Sequence, residues 1–332
     1  MLGYIGAFEK RCGDRFDGCA TFFKASKFKM VQRHRVEYRM DGISLMDRDN
    51  VGLILILERQ QSTAKHRRGR NTESTTPTLF PQSYPKICVA NTHLLYNPKR
   101  GDIKLAQLSK LFAEIDQLTS ANRTALNITT QSTYAKDDNH RRRHCPIILC
   151  GDFNSSPTSS VIQFVSQGSL QYPGLNRKII SGQRRESTRH SDPICDDCIL
   201  QRGTLPPWGL NVNNSCKYEH QIDPEIHQNY DTILHHLNLA SIYHYGDDHV
   251  TTTEQAVDYI FYSNDRVYAY PNSDTASSGS CSNTSYRIRP VSYLNLYTKE
   301  HMNKMPCLPN MQLSSDHICL LSKLSYLASN TE

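Results

Sequence analysis

The sequence predicts one α/β domain, on three observations. Short apolar runs of strand length recur along the chain with polar residues at their ends, an apolar stripe at helical spacing separates two of them, and no apolar stretch approaches the roughly 20 residues needed to cross a bilayer. The composition agrees. At 332 residues, 38% hydrophobic and 21% charged, with mean hydropathy −0.57, the chain can fill one core that carries polar insertions and is neither a disordered nor a membrane sequence.

The elements follow in order. Residues 51–57 (VGLILIL), 87–91 (ICVAN), 146–150 (PIILC), 257–262 (VDYIFY) and 317–324 (HICLLSKL) read as buried strands, because near-continuous apolar runs suit strands covered on both faces. Between the second and third, Ile103, Leu105, Leu108, Phe112 and Ile115 lie on one side of a helix that Asp102 can start, and 158–167 after Pro157 gives a second helix. Four segments, 59–84, 119–144, 172–230 and 269–286, are rich in Ser, Thr, Asn, Arg, Pro or Gly and lack a periodic apolar face. They are expected to be surface loops or insertions, partly disordered, on a single domain 1–332, with 59–84 and 172–230 mobile and dispensable for folding.

Charge and cysteines set the setting. A net charge of +6 and a pI near 8.7 favour a polyanionic partner without identifying one. The runs at 65–70 (KHRRGR) and 140–144 (HRRRH) read as solvated loops or as guides for a nucleic-acid backbone. An odd number of cysteines, 11, with Cys88, Cys150 and Cys319 inside apolar runs, and a start without signal-peptide features imply a reducing compartment, cytoplasmic or nuclear, and no membrane partner. Cys195, Cys198, Cys216 and His220 have the spacing of a zinc knuckle, but Asp196, Asp197 and the prolines that follow suit a variable insertion better.

The polar residues at the strand ends carry the chemistry. Gly151-Asp152-Phe153-Asn154-Ser155 puts a carboxylate and an amide on one side of a strand exit, where they can share a phosphate, a water or a metal. An Asx turn capping the next helix is the alternative. Ser314-Ser315-Asp316-His317 places an imidazole beside a carboxylate, and Asp258, inside an apolar strand, needs a partner that His317 can supply. Asn91-Thr92-His93-Leu94 adds a second histidine at a strand end.

NTHL, GDFNS, VDYIFYS and SSDH in that order resemble the endonuclease/exonuclease/phosphatase superfamily. DGCATFFK at 17–24 and LMDRDNVGL at 45–53 look like its deadenylase-like group, which includes nocturnin and the Angel proteins. VTTTEQAV at 250–257 and Leu308-Pro309-Asn310 look more like Angel than like the poly(A) deadenylases. The resemblance implies a deoxyribonuclease-I-like two-sheet sandwich flanked by helices, and hydrolysis of phosphate esters at RNA 3′ ends with Mg²⁺, or Mn²⁺ in its place. The reaction would be either 3′–5′ exonuclease (deadenylase-like) or 2′,3′-cyclic phosphatase chemistry.

By the same resemblance His93 would contact the scissile phosphate, Asp152 would orient or activate water, and Asn154 would bind the phosphate or the metal. Asp258 would brace His317, and His317 with Asp316 would complete the phosphate and metal pocket, so that Asp152, Asn154 and Asp316 form the metal set. Asn91 and Pro98 would touch substrate, although the reading of Pro98 as an ordinary loop residue is the favoured one.

One departure is large. Members of the superfamily begin with a strand bearing a catalytic Asn and a strand ending in Gln-Glu, whose Glu is the principal metal ligand; neither is found here, and Glu58, Glu114 and Glu254 sit in other contexts. The sequence is therefore expected to be incomplete at its N-terminus, with a catalytically impaired RNA-binding protein or a truncated gene product as the alternative reading. Weak or no hydrolysis with Mg²⁺ is expected of residues 1–332, and recovery once the preceding coding sequence is restored. Robust turnover by 1–332 that is lost in Asp152→Ala would overturn that expectation.

Overall fold

Alternation along the strands sorts the apolar residues onto two faces of one sheet, and everything else packs on those faces. The computed structural model describes residues 2–60, 86–119, 145–183, 193–194, 232–264, 267–268 and 284–330. Both basic runs and the four candidate zinc ligands lie outside the described residues.

In chain order, β1 (Tyr4–Lys10) and β2 (Gly18–Lys24) form a hairpin, followed by β3 (Phe28–Glu37), β4 (Val51–Arg59) and β5 (Lys86–His93). Helix α1 (Gly101–Thr119) leads to β6 (Ile147–Asp152) and α2 (Ser160–Gln167). Short strands β7 (Ser169–Gln171), β8 (Thr232–Leu234), β9 (Leu239–Ser241) and β10 (His249–Val250) precede β11 (Asp258–Ser263). The described chain finishes with β12 (Val267–Tyr268), β13 (Thr284–Tyr293), β14 (Tyr297–Thr298), α3 (Lys299–Asn303) and β15 (Ser322–Asn330).

The central sheet has six strands in the order β3-β4-β5-β6-β11-β9. The pair β5–β6 is parallel and its neighbours are antiparallel, so a crossover is required between β5 and β6, and α1 lies on it. On one face Ile54, Ile56, Cys88, Ala90, Ile147, Leu149, Tyr259 and Phe261 meet α1 and α2. On the other, Val51, Leu53, Leu55, Leu57 and Ile87 meet Ala7, Cys19 and Phe23 of the β1–β2 hairpin and Ile288 of the sheet β12-β13-β15. The result is an α/β fold, a mixed sheet with helices on one face and a second β layer on the other.

The predicted helical stripe Ile103, Leu105, Leu108, Phe112 and Ile115 is fully buried. Phe112 sits 4.5 Å from the ring of His235 and 5.8 Å from Phe164 of α2. Ser159 caps α2 by accepting from the Ile162 amide, and Gly168 ends it at φ 77.

Three expectations change. The strand expected at 317–324 starts only at Ser322. Residues before it form a loop, because their backbone groups find other partners: the Ile318 amide donates to Thr251 O at 2.7 Å and Tyr243 Oη to Leu321 O at 2.7 Å. The insertion expected at 172–230 is packed structure as far as Gln183: Tyr172, Ile180 and Ser181 are buried, the Gly101 amide donates to Arg177 O at 3.0 Å, and Ser181 Oγ donates to Pro98 O at 3.1 Å. Its few apolar residues have no period, yet they fill the space over α1, so 172–183 is part of the core. The end of the expected 269–286 insertion is likewise taken up by β13.

Gly151, next to Asp152 in β6, has φ 147, and a Cβ there would lie 1.9 Å from Thr92 O of β5. Gly151→Ala should destabilise the fold by at least about 2 kcal/mol through strain between the two parallel strands, read as a lowered urea midpoint.

Candidate functional site

The site is built by register. In the sheet His93 is the direct partner of Asp152 across the parallel pair, and Asp258 is the direct partner of Asp152 across the antiparallel pair. Three strands therefore present three polar side chains at one level. All three lie on the face away from the helices, since Val89, Ile148 and Tyr262, four residues away on the same strands, pack with the second β layer. His317 arrives from the loop before β15.

Contacts then fix the geometry. His317 Nδ1 and Asp258 Oδ2 are 2.8 Å apart. Asp152 Oδ2 lies 3.4 Å from His93 Nε2 and 3.8 Å from His317 Nε2, while Asp152 Oδ1 accepts from the Asn154 amide at 2.7 Å. Asn154 adopts φ 45, a left-handed conformation that asparagine tolerates better than most residues, and its Nδ2 donates to Leu94 O at 3.0 Å. Asn50 Nδ2 holds the His93 carbonyl at 3.0 Å, and Tyr245 Oη holds the Asp258 carbonyl at 2.6 Å.

Burial and like charge push the Asp152 carboxyl above the ordinary carboxylate range, burial first and repulsion from Asp258 second, with His93, His317 and the Asn154 amide opposing. The Asp258 carboxylate holds the His317 imidazolium up to about 9 against its own burial. Beneath the turn, Lys104 of α1 is buried; it donates to Asn154 O and, at 2.6 Å, to Gln183 Oε1. Burial pulls this ammonium down to about 7, and Asp152 works the other way.

A cavity of about 1060 Å³ opens over these groups, lined by His93, Asp152, Asn154, Asp258, Asp316 and His317 together with Pro98, Tyr96, Gln183, Arg11, Arg15 and Glu254. That is room for a nucleotide. The structure thus brings six of the sequence-predicted residues to one cleft and sets Pro98 on its wall. Asn91 is placed elsewhere: two residues short of His93 on the same face, its Nδ2 donates to Ala20 O of β2 at 2.8 Å. It anchors the hairpin and does not line the cleft. Asp316 is on the wall but exposed, outside the close group.

Asp152, Asp258 and His317 offer ligand atoms all within 4.8 Å of one another. Two carboxylates in that space repel, a divalent cation would relieve the repulsion, and hard cations favour such carboxylate oxygens; Asn154 lines the same cavity. The residues present fit a divalent cation; they do not select which one. Lys104, Gln183, Asn50 and the two arginines are functional candidates that sequence reasoning missed. The only available signal was Lys104 itself, a lysine inside the apolar stretch of α1.

A family model described as the Endonuclease/Exonuclease/phosphatase family matches residues 6–317. The chain is 34% identical over 354 residues to "Protein angel homolog 2" of Homo sapiens, covering 97% of this chain and 56% of that protein. It is 30% identical over 385 residues to "Protein angel homolog 1" of Rattus norvegicus, covering 97% and 52%. The chain therefore spans about half the length of the curated relatives it matches. Among solved structures it is similar to "ANGEL2, a 2′,3′-cyclic phosphatase, in complex with adenosine-2′,3′-vanadate", with TM-score 0.67, 35% identity, and coverage of 97% of this chain and 74% of that one.

The His317–Asp258 pair yields a pH prediction for the metal-free protein. A folded-state value raised to about 9 means that the pair's contribution to stability is complete below the unfolded histidine value of about 6.5 and is lost as pH rises through about 9. NMR titration in EDTA should place the His317 midpoint near 9, and Asp258→Asn should bring it down towards the ordinary histidine value. A midpoint that ignores Asp258→Asn would sink this assignment.

Proposed function

This chain belongs to the endonuclease/exonuclease/phosphatase family, and from that premise we propose that it hydrolyses phosphate esters at RNA 3′ ends, with a terminal 2′,3′-cyclic phosphate as the substrate and Mg²⁺ as the cation. The observation that carries the choice of end chemistry is the likeness to ANGEL2, described as a 2′,3′-cyclic phosphatase. The local geometry supports it, because one carboxylate lies between two imidazoles at a cleft open to solvent.

In this reading Asp152 is the base. Its Oδ1 is pinned by the Asn154 amide, which leaves Oδ2 to take a proton from water as the water oxygen bonds to phosphorus. His317 remains doubly protonated at neutral pH because Asp258 holds its Nδ1–H, so its Nε2–H can donate to a phosphoryl oxygen. His93, on the other side of Asp152, orients a second phosphoryl oxygen. The bond from phosphorus to one ribose oxygen breaks, and that oxygen leaves as a hydroxyl with a proton from water at the open side. A divalent cation held by Asp152, Asp258 and Asn154 would offset the charge that develops on the phosphoryl oxygens.

Two substrates separate the readings: RNA ending in a 2′,3′-cyclic phosphate and RNA ending in a poly(A) 3′-hydroxyl, with products weighed by mass spectrometry. The expected outcome for residues 1–332 is slow ring opening to a monophosphate without shortening, reduced further, by up to about 10²- to 10⁴-fold, in Asp152→Asn. Shortening of poly(A) with the cyclic end untouched would replace this reading with deadenylase-like chemistry, and retention of both RNAs without turnover would favour a binding protein.

A further inference from the structure

Lys104 and Gln183 have no part in the chemistry above, yet they join the floor of the cleft to its wall. Lys104 is fully buried on α1, and both of its neighbours are oxygens: the Asn154 carbonyl, at the turn that carries the metal and phosphate candidate, and Gln183 Oε1 at 2.6 Å. An ammonium only donates, so it decides which end of a glutamine amide faces it. With the oxygen turned to Lys104, the amide NH₂ is the end left for the cleft that Gln183 lines.

The position is well supported from behind. Residues 172–183 are packed over α1 through the contacts of Gly101 with Arg177 and of Ser181 with Pro98. The Ser156 amide also donates to Ser181 O at 2.8 Å. Gln183 therefore stands on a segment tied at several points to the loop before α1 and to the loop after β6. A side chain held at its carbonyl oxygen, two residues from an anchored Ser181, loses less freedom on binding than a free one, which is what a substrate contact needs.

We propose that Gln183 is a substrate-binding residue whose Nε2 donates to an acceptor oxygen of the bound RNA end, and that Lys104 is the positioning residue that orients this donor while holding the Asn154 turn. The inference rests on the reading that the cleft holds an RNA end. It does not depend on which ester bond is broken.

The test is binding, so that it stands apart from turnover. A short fluorescent RNA ending in a 3′-phosphate is titrated with Mg²⁺ against the protein and its variants, each first checked by thermal melting. Gln183→Glu keeps an acceptor for Lys104 and so keeps the fold, but replaces the donor with negative charge; Gln183→Met removes the donor without adding charge. Affinity should fall about tenfold or more in the first and about fivefold in the second, with unchanged melting. Lys104→Met should weaken binding as well, and adding Gln183→Met to it should cost less than in the native background, since the donor is already unfixed. If Gln183→Met binds as tightly as the native protein, the donor role is wrong, even if Gln183→Glu is weakened by repulsion. If native protein does not bind the probe, the inference also falls. If binding responds as expected while the cyclic ester is never opened, the proposed reaction fails and this inference stands.

Discussion

The hydrogen-bond ladder across β5, β6 and β11 is the constraint on which the site depends. His93, Asp152 and Asp258 do not meet because their side chains seek one another, since two of the three are like-charged. They meet because the backbone registers make them partners. A slip of one residue in either pairing would turn a site residue towards the helices and bring apolar side chains into the cleft. That register is secured by apolar packing on both faces of the sheet, so the cost of gathering repelling groups is met by the core.

The parallel pairing of β5 and β6 has a second effect. It requires a crossover, and the crossover helix α1 passes directly beneath the Asn154 turn, where Lys104 is positioned. The polar groups of the site are thus layered, with an ammonium in the floor, carboxylates above it and imidazoles at the rim. Burial is the main cause that pushes the Asp152 carboxyl up and the Lys104 ammonium down, while the hydrogen bond to Asp258 holds the His317 imidazolium up. The exposed Arg11–Asp17 pair at the hairpin, 2.6 Å apart, is screened by water and contributes little to stability.

Much of this was legible in the sequence, for a physical reason. Runs such as 51–57 and 146–150 are apolar because both faces of the central sheet are covered, and the polar residues that interrupt or end such runs had to have another purpose. Asn91 shows where that reasoning stops. It shares a face with His93, and only the packing of the β1–β2 hairpin decides that the first is covered and the second open. Lys104 and Gln183 were illegible for the same reason: their meeting depends on 172–183 folding over α1, and that stretch has no period to announce it. The late start of β15 reflects backbone partners, Thr251 and Tyr243, that are remote in sequence.

Strand polarity also distributes the chain's tolerance for extra length. The last paired residues of β4 and the first of β5 and β6 (Glu58 with Lys86, Cys88 with Ile147) lie at the end of the sheet opposite Asp152, about 17 Å away along β6 at strand rise. Thr119 of α1 meets Cys145 at that same end. Segments joining these points can grow or shrink between homologues, or accept a fused tag or dye, at an entropic cost that rises only slowly with length, and the reacting groups would not register the change. The connection leaving Gln183 differs, because it departs from the wall of the cleft itself. Changes in length at that point would therefore be felt by the wall of the cleft through Gln183.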